Sequence, residues 1–172
     1  MTYETIMAGF GGQGLLFSGK VLAYAGLIEN RELSWLPSYG PEMRGGTCNC
    51  TVIVSDGEIS CPLIYEADAV VVMNLPSLIK FEPLVKKGGK LFYNSTLIEQ
   101  APKRDDIEIH AVPANEKALE LGNIRAANMV MIGELIRSTG VVEMAMAEKV
   151  LEKTFTGRKA ALLPLNKKAL GL

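Results

Sequence analysis

Gly9-Phe10-Gly11-Gly12-Gln13-Gly14 is the stretch whose reading decides the fold. The four residues before it, Thr5-Ile6-Met7-Ala8, read as a short buried strand. After it, Leu15, Leu16, Val21, Leu22, Ala25 and Ile28 recur at roughly helical spacing, which predicts a helix from Leu15 to Ile28. Gly9, Gly11 and Gly14 fit a Gly-x-Gly-x-x-Gly spacing in the strand–loop–helix context where that spacing carries meaning. Glycines let the backbone turn tightly and let a ligand approach the peptide N–H groups. The free N–H groups and positive end of the following helix then favour an anion.

Three readings of the loop stay open: a site for a phosphate or other anion, a nicotinamide dinucleotide site, and a tight turn that packs helix on sheet or faces a partner protein. A dinucleotide site places an acidic residue about 20 residues further on, at the end of the second strand, to hold the ribose. The second strand is predicted at Glu32 to Leu36, and Glu29 and Glu32 come too early for that role. No Gly-Lys-Ser/Thr follows the loop, so it is not an NTPase phosphate loop.

Working outward, the segment Leu36 to Thr47 holds Pro37, Gly40, Pro41, Gly45 and Gly46, which excludes a continuous helix or a central strand. It also carries Ser38, Tyr39, Glu42, Met43 and Arg44. A long loop shaped by both proline and glycine at the carboxyl end of a strand is a binding element in open α/β sheets. Cys48 to Ser55 alternates, placing Cys48 and Cys50 on one strand face with Val52 and Val54, and Asn49, Thr51 and Ile53 on the other. Asp56-Gly57 before Glu58 to Pro62 predicts a β-hairpin. Ala69 to Asn74 reads as a strand covered on both faces. A helix follows from Leu75-Pro76-Ser77, with Lys86-Lys87 at its end and Gly88-Gly89 as its stop. Strands are expected at Leu91-Phe92-Tyr93 and at Ile107 to Val112, and helices at Asn115 to Leu121, from Asn123 to about Thr139, and at Glu143 to Thr154, with a partly helical tail from Arg158 to Leu172. The alternation gives one α/β domain over residues 1–172: a Rossmann-like, doubly wound, mostly parallel sheet with a β-hairpin and a helical C-terminal region.

The chain of 172 residues is 48% hydrophobic and 22% charged, with a net charge of −1, which argues against attraction to nucleic acid or to acidic membranes. Its longest apolar runs are far too short to span a bilayer. No basic segment followed by a long apolar run opens the N-terminus, so no signal peptide is read. Three cysteines, Cys48, Cys50 and Cys61, then predict reduced thiols in a cytoplasm. Their spacing is neither a zinc nor an iron–sulfur pattern, and no metal site is expected. One histidine, His110, on a strand-like run leaves no Ser/His/Asp triad, and no catalytic acid, base or nucleophile stands out. A ligand-type loop without reactive groups points to a fraction of an enzyme.

Gly9-Phe10-Gly11-Gly12-Gln13-Gly14, followed by Pro37-Ser38-Tyr39-Gly40-Pro41-Glu42-Met43-Arg44-Gly45-Gly46, resembles the gamma subunit of 2-oxoacid:ferredoxin oxidoreductases. Ala127-Asn128-Met129-Val130 is similar to the start of that family's long helix, and the likeness runs from Ile6 to Phe155. The second motif is nearest to the 2-oxoglutarate and 2-oxoisovalerate types. The resemblance implies a subunit that works with alpha and beta subunits, often with a small delta subunit, in a complex that oxidatively decarboxylates a 2-oxoacid to its acyl-CoA and reduces ferredoxin. It implies thiamine diphosphate and iron–sulfur clusters in the partner subunits, and a place near the path of coenzyme A for this chain. The residues then expected at that path are Gly9, Gly11, Gly12, Gln13, Gly14, Ser38, Tyr39, Arg44, Gly45 and Gly46, with Arg44 meeting a phosphate or a partner carboxylate, and Asn49 and Thr51 as neutral contacts beside it. The rival expectation is a free-standing Rossmann-like nucleotide-binding module, NAD-dependent or a sensor.

Overall fold

The structure, a computed structural model, describes residues 1–38 and 47–172. Six strands form one sheet: β1 (Thr2–Phe10), β2 (Glu32–Ser38), β3 (Thr47–Ser55), β4 (Ala67–Val72), β5 (Val85–Asn94) and β6 (Glu108–Val112), in the order β2-β3-β1-β4-β5-β6. β1, β4, β5 and β6 run parallel, and β3 runs antiparallel between β1 and β2. The helices are α1 (Leu15–Ile28), α2 (Leu75–Phe81), α3 (Ala114–Glu120), α4 (Ala127–Thr139), α5 (Met144–Thr154) and α6 (Leu163–Leu170).

The central strands carry apolar residues on both faces, so the sheet is sandwiched. On one face Met7, Val52, Val54, Val71 and Phe92 meet α1, α4 and α5 through Leu22, Met129, Ile132 and Leu151. On the other, Ile6, Val70, Val72 and Leu91 meet α2 through Leu78 and Phe81. Cys48 and Cys50 fall in the first core with Val52 and Val54, as the alternation predicts. Close packing of α4 on α6 depends on Gly133, where a Cβ would lie 2.0 Å from the carbonyl oxygen of Leu170.

Two local expectations are corrected. Residues 58–62 form no strand after Asp56-Gly57. β3 already has β1 on one edge and β2 on the other, so no edge is left for a hairpin partner. The antiparallel pairing of consecutive strands is β2 with β3, Glu32 opposite Ser55 and Ser38 opposite Asn49. Lys86-Lys87 and Gly88-Gly89 do not end a helix either. The helix stops at Phe81, and these residues lie inside β5, whose register against β4 jumps between Val85 and Lys90. Gly88, at φ 75°, lets the strand bulge, and its N–H donates to the Asp106 carbonyl at 2.9 Å.

Candidate functional site

β1 and β4 are parallel neighbours whose connections leave in opposite directions across the sheet, so their carboxyl ends form the topological switch point where open α/β sheets bind ligands. The glycine loop leaves β1 there, beside Met73 and Asn74 at the end of β4. Gly12 (φ 93°) and Gly14 (φ 78°) take left-handed backbone that other residues adopt only under strain. Gly14 is the N-cap of α1 and offers no side-chain cap, so the first N–H groups of the helix stay open. Among the described residues the N–H groups of Gly11, Gly12 and Gly14 have no hydrogen-bond acceptor. A Cβ on Gly12 would meet nothing within 4 Å.

The chain itself holds one edge of this cradle. The Gln13 N–H donates to the Phe10 carbonyl at 3.2 Å, while the Phe10 N–H donates to Gln13 Oε1 at 2.6 Å. Gly9 must be glycine for this, because a Cβ there would lie 2.6 Å from Gln13 Oε1. Across the loop, Asn128 Nδ2 of α4 donates to the Gly14 carbonyl at 3.2 Å, and a Cβ on Gly14 would fall 2.4 Å from that nitrogen. Ser18 donates to the same carbonyl through its N–H at 3.0 Å and its hydroxyl at 3.2 Å.

Two hollows flank Gly12. The first, about 190 Å³, is lined by Gly12, Gln13, Met73, Asn115, Arg125 and Asn128, among others. The second, about 220 Å³, is lined by Gly11, Gly12, Gly14, Leu16, Phe17 and Cys48, among others. Behind the first, buried Asn94 donates to Asn115 Oδ1 at 2.8 Å and so orients it. Among the described residues neither hollow has a carboxylate in its lining. The donor set of backbone N–H groups, three carboxamides and the exposed Arg125 guanidinium suits an anion such as a phosphate ester. Among the described residues the thiol that lines these hollows is Cys48, in the second. Burial pushes the Cys48 thiol up, and the deeper Cys50 thiol up to about 12.

Of the residues expected from sequence, Gly9, Gly11, Gly12, Gln13 and Gly14 come together here. Ser38 ends β2 at the same end of the sheet, two strands across: it pairs with Asn49, which pairs with Ala8. Tyr39, Arg44, Gly45 and Gly46 lie outside the described residues. Asn49 and Thr51 are half-buried on the strand face opposite the cysteines. The order of the sheet also bears on the dinucleotide reading. β3 stands between β1 and β2, so the end of the second strand is not beside the glycine loop. Asn115, Arg125 and Asn128 were not read as site residues. Asn128 carried a signal, a polar residue inside the apolar run Ala127 to Ile132.

The family model for pyruvate ferredoxin/flavodoxin oxidoreductase matches residues 4–172. The chain belongs to this family. It is 39% identical over 166 residues to ketoisovalerate oxidoreductase subunit VorA of Methanothermobacter marburgensis, covering 95% of this chain and 34% of that one. It thus spans about a third of the length of that relative. It is 36% identical over 156 residues to 2-oxoglutarate synthase subunit KorC of Methanothermobacter thermautotrophicus, covering 87% of this chain and 82% of that one. Among solved structures, the gamma subunit of a keto/oxoacid ferredoxin oxidoreductase from Geobacter sulfurreducens aligns over 99% of this chain and 93% of its own, with a TM-score of 0.86 and 32% identity. The resemblance to gamma subunits therefore holds over the whole fold, including the mixed sheet. Among the described residues, no helix is long and apolar enough to cross a membrane, and no three His, Cys, Asp or Glu side chains gather to hold a metal ion.

Proposed function

We propose that this chain is the gamma subunit of a cytoplasmic 2-oxoacid:ferredoxin oxidoreductase, joined to alpha and beta subunits, a set that in this family often includes a small delta subunit. The complex would decarboxylate a 2-oxoacid oxidatively, transfer the acyl group to coenzyme A and reduce ferredoxin. Thiamine diphosphate and iron–sulfur clusters would reside in the partner subunits and supply the carbon–carbon cleavage and electron transfer. The observation that carries this chain's part is the set of N–H groups at Gly11, Gly12 and Gly14 that are open among the described residues, with Gly12 sharing a hollow with Arg125 that no described carboxylate lines. Those groups suit a phosphate of coenzyme A, held at a distance from the reacting thiol. Asn128 holds the loop in shape and Asn115 offers a neutral donor beside it. Ser38, with Tyr39, Arg44, Gly45 and Gly46 next to it in the chain, is assigned to the same path. The chain binds and orients coenzyme A, and none of its residues moves a proton in the reaction.

The substrate we favour is 2-oxoglutarate, because the KorC relatives match this chain over most of their own length. The higher identity to VorA favours a branched 2-oxoacid instead. Initial rates of the purified complex with 2-oxoglutarate and with 2-oxoisovalerate decide between them. Coenzyme A binding is tested with Gly12→Asp in the assembled complex. A carboxylate in the cradle should raise the apparent KM for coenzyme A about tenfold or more without dissociating the subunits. An unchanged KM would make the loop a scaffold. Calorimetry of the isolated chain with NAD tests the free-standing alternative, which requires tight binding and turnover without partners.

A further inference from the structure

Of the fourteen residues of α1, only Lys20 is charged. A helix apolar on every side is expected to be covered on every side. The sheet covers one side of α1, through Val21, Leu22 and Ala25, and α5 packs on another. The third side is bare: Tyr24 and Leu27 are 49% and 50% exposed. Two hollows open on this side and share those two residues. One, of about 360 Å³, lies between α1 and the edge strand β2, with Trp35 in its wall and Lys20 at its rim. The other, of about 270 Å³, lies between α1 and α5, with Lys153 at its rim. Both exceed the hollows at the glycine loop. The sheet also stops here, since β2 pairs with β3 alone among the described residues.

The rim is basic. Lys20 Nζ stands 5.4 Å from the centroid of the Trp35 ring, and among the described residues neither Lys20 nor Lys153 is in an ion pair. We infer that this wall is the docking face for the companion polypeptide of the complex, and that it receives an apolar segment flanked by carboxylates. The inference rests on the gamma-subunit reading above. In VorA, a domain 39% identical to this chain makes up only a third of a longer polypeptide. A similar domain supplied separately needs a non-covalent face in place of that link. The glycine-loop end of the sheet is polar, whereas the wall supplies apolar area with unpaired cations at its ends. A second copy of this chain fits poorly, because it would bring one basic rim against another.

The test co-expresses this chain with the companion subunit recognised by its similarity to the part of VorA outside the matched third. Association is followed by light scattering after gel filtration and by titration. The Tyr24→Asp/Leu27→Asp variant should weaken association about thirtyfold or more. The Lys20→Glu/Lys153→Glu variant should weaken it about fivefold. Both should keep the native circular dichroism spectrum, because the four side chains face solvent in the lone chain. Native binding with both variants unaffected overturns this inference alone, as does self-association of the native chain through Tyr24 and Leu27. If the native chain does not bind the companion at all, the gamma-subunit reading falls, and this inference with it.

Discussion

At the amino end of the sheet, charge answers charge. Lys86 Nζ donates to Glu4 at 2.6 Å and to Asp68 at 2.9 Å, the Met1 ammonium meets Asp56 at 2.5 Å, and Arg31 Nε lies 2.8 Å from the same Asp56. At the carboxyl end, the described side chains around the glycine loop include Gln13, Asn74, Asn94, Asn115 and Asn128, all neutral. Arg125 is the cation in the hollow beside them. The first end has satisfied itself, and its ion pairs fasten strand starts to one another. Among the described residues, the second has kept N–H groups open and left the Arg125 guanidinium without a carboxylate. A chain that fixes its electrostatics at one end and leaves them open at the other separates stability from binding. Variants at the two ends should therefore move different observables.

The largest effect is expected from Gly14→Ala, which forces a side chain into left-handed backbone and against Asn128. It should cost about 2–4 kcal/mol of unfolding free energy, read by denaturant titration, and should also disorder the cradle. Arg125→Ala should leave stability unchanged and weaken coenzyme A about tenfold in the assembled complex, the loss of one charge-assisted contact. Lys86→Met, at the other end, should do the reverse. Its pairs are screened by solvent, so the cost is only about 1 kcal/mol, with no change in coenzyme A affinity. Burial opposes the Lys86 charge, but hydrogen bonds to Glu4 and Asp68 prevail and raise its pKa. That contribution is thus intact at neutral pH and is lost as the pH rises through the raised value, so native chain and variant should converge in strong alkali. The smallest effect concerns Glu134. Burial pushes its carboxyl up, yet hydrogen bonds from Arg137 and Ser138 bring it below the ordinary range. Its contribution is present above the ordinary carboxylate value and is lost as the pH falls through the lowered one. Glu134→Gln should cost about 0.5 kcal/mol at neutral pH and progressively less as the pH falls through the lowered value, by urea unfolding at each pH.

The parts of the fold legible in the sequence were those where one local signal has one meaning. Thr5 to Ala8, the glycine loop and Leu15 to Ile28 follow from periodicity and φ requirements alone, and Ala69 to Val72 follows from an apolar run. Gly88-Gly89 was ambiguous, because a pair of glycines serves a helix stop and a strand bulge equally well. Asp56-Gly57 is a valid turn signal, but a hairpin also needs a free strand edge, and only the whole sheet shows that β3 has none. The same limit applied to the site. Its glycines are contiguous and readable, while Asn128 meets Gly14 from 114 residues away. Arg125 looked like any surface arginine until α4 was placed beside the loop.

Gln13 has a further consequence. By accepting from the Phe10 N–H, it gives the loop an internal tether that exists whether or not an anion is near. The loop then has little ordering left to do when an anion arrives, and the entropy of shaping it is spent during folding. In a deuterium-exchange experiment on the empty protein, the Phe10 amide should already be slow, while those of Gly11 and Gly12 exchange freely and slow only when the anion is added.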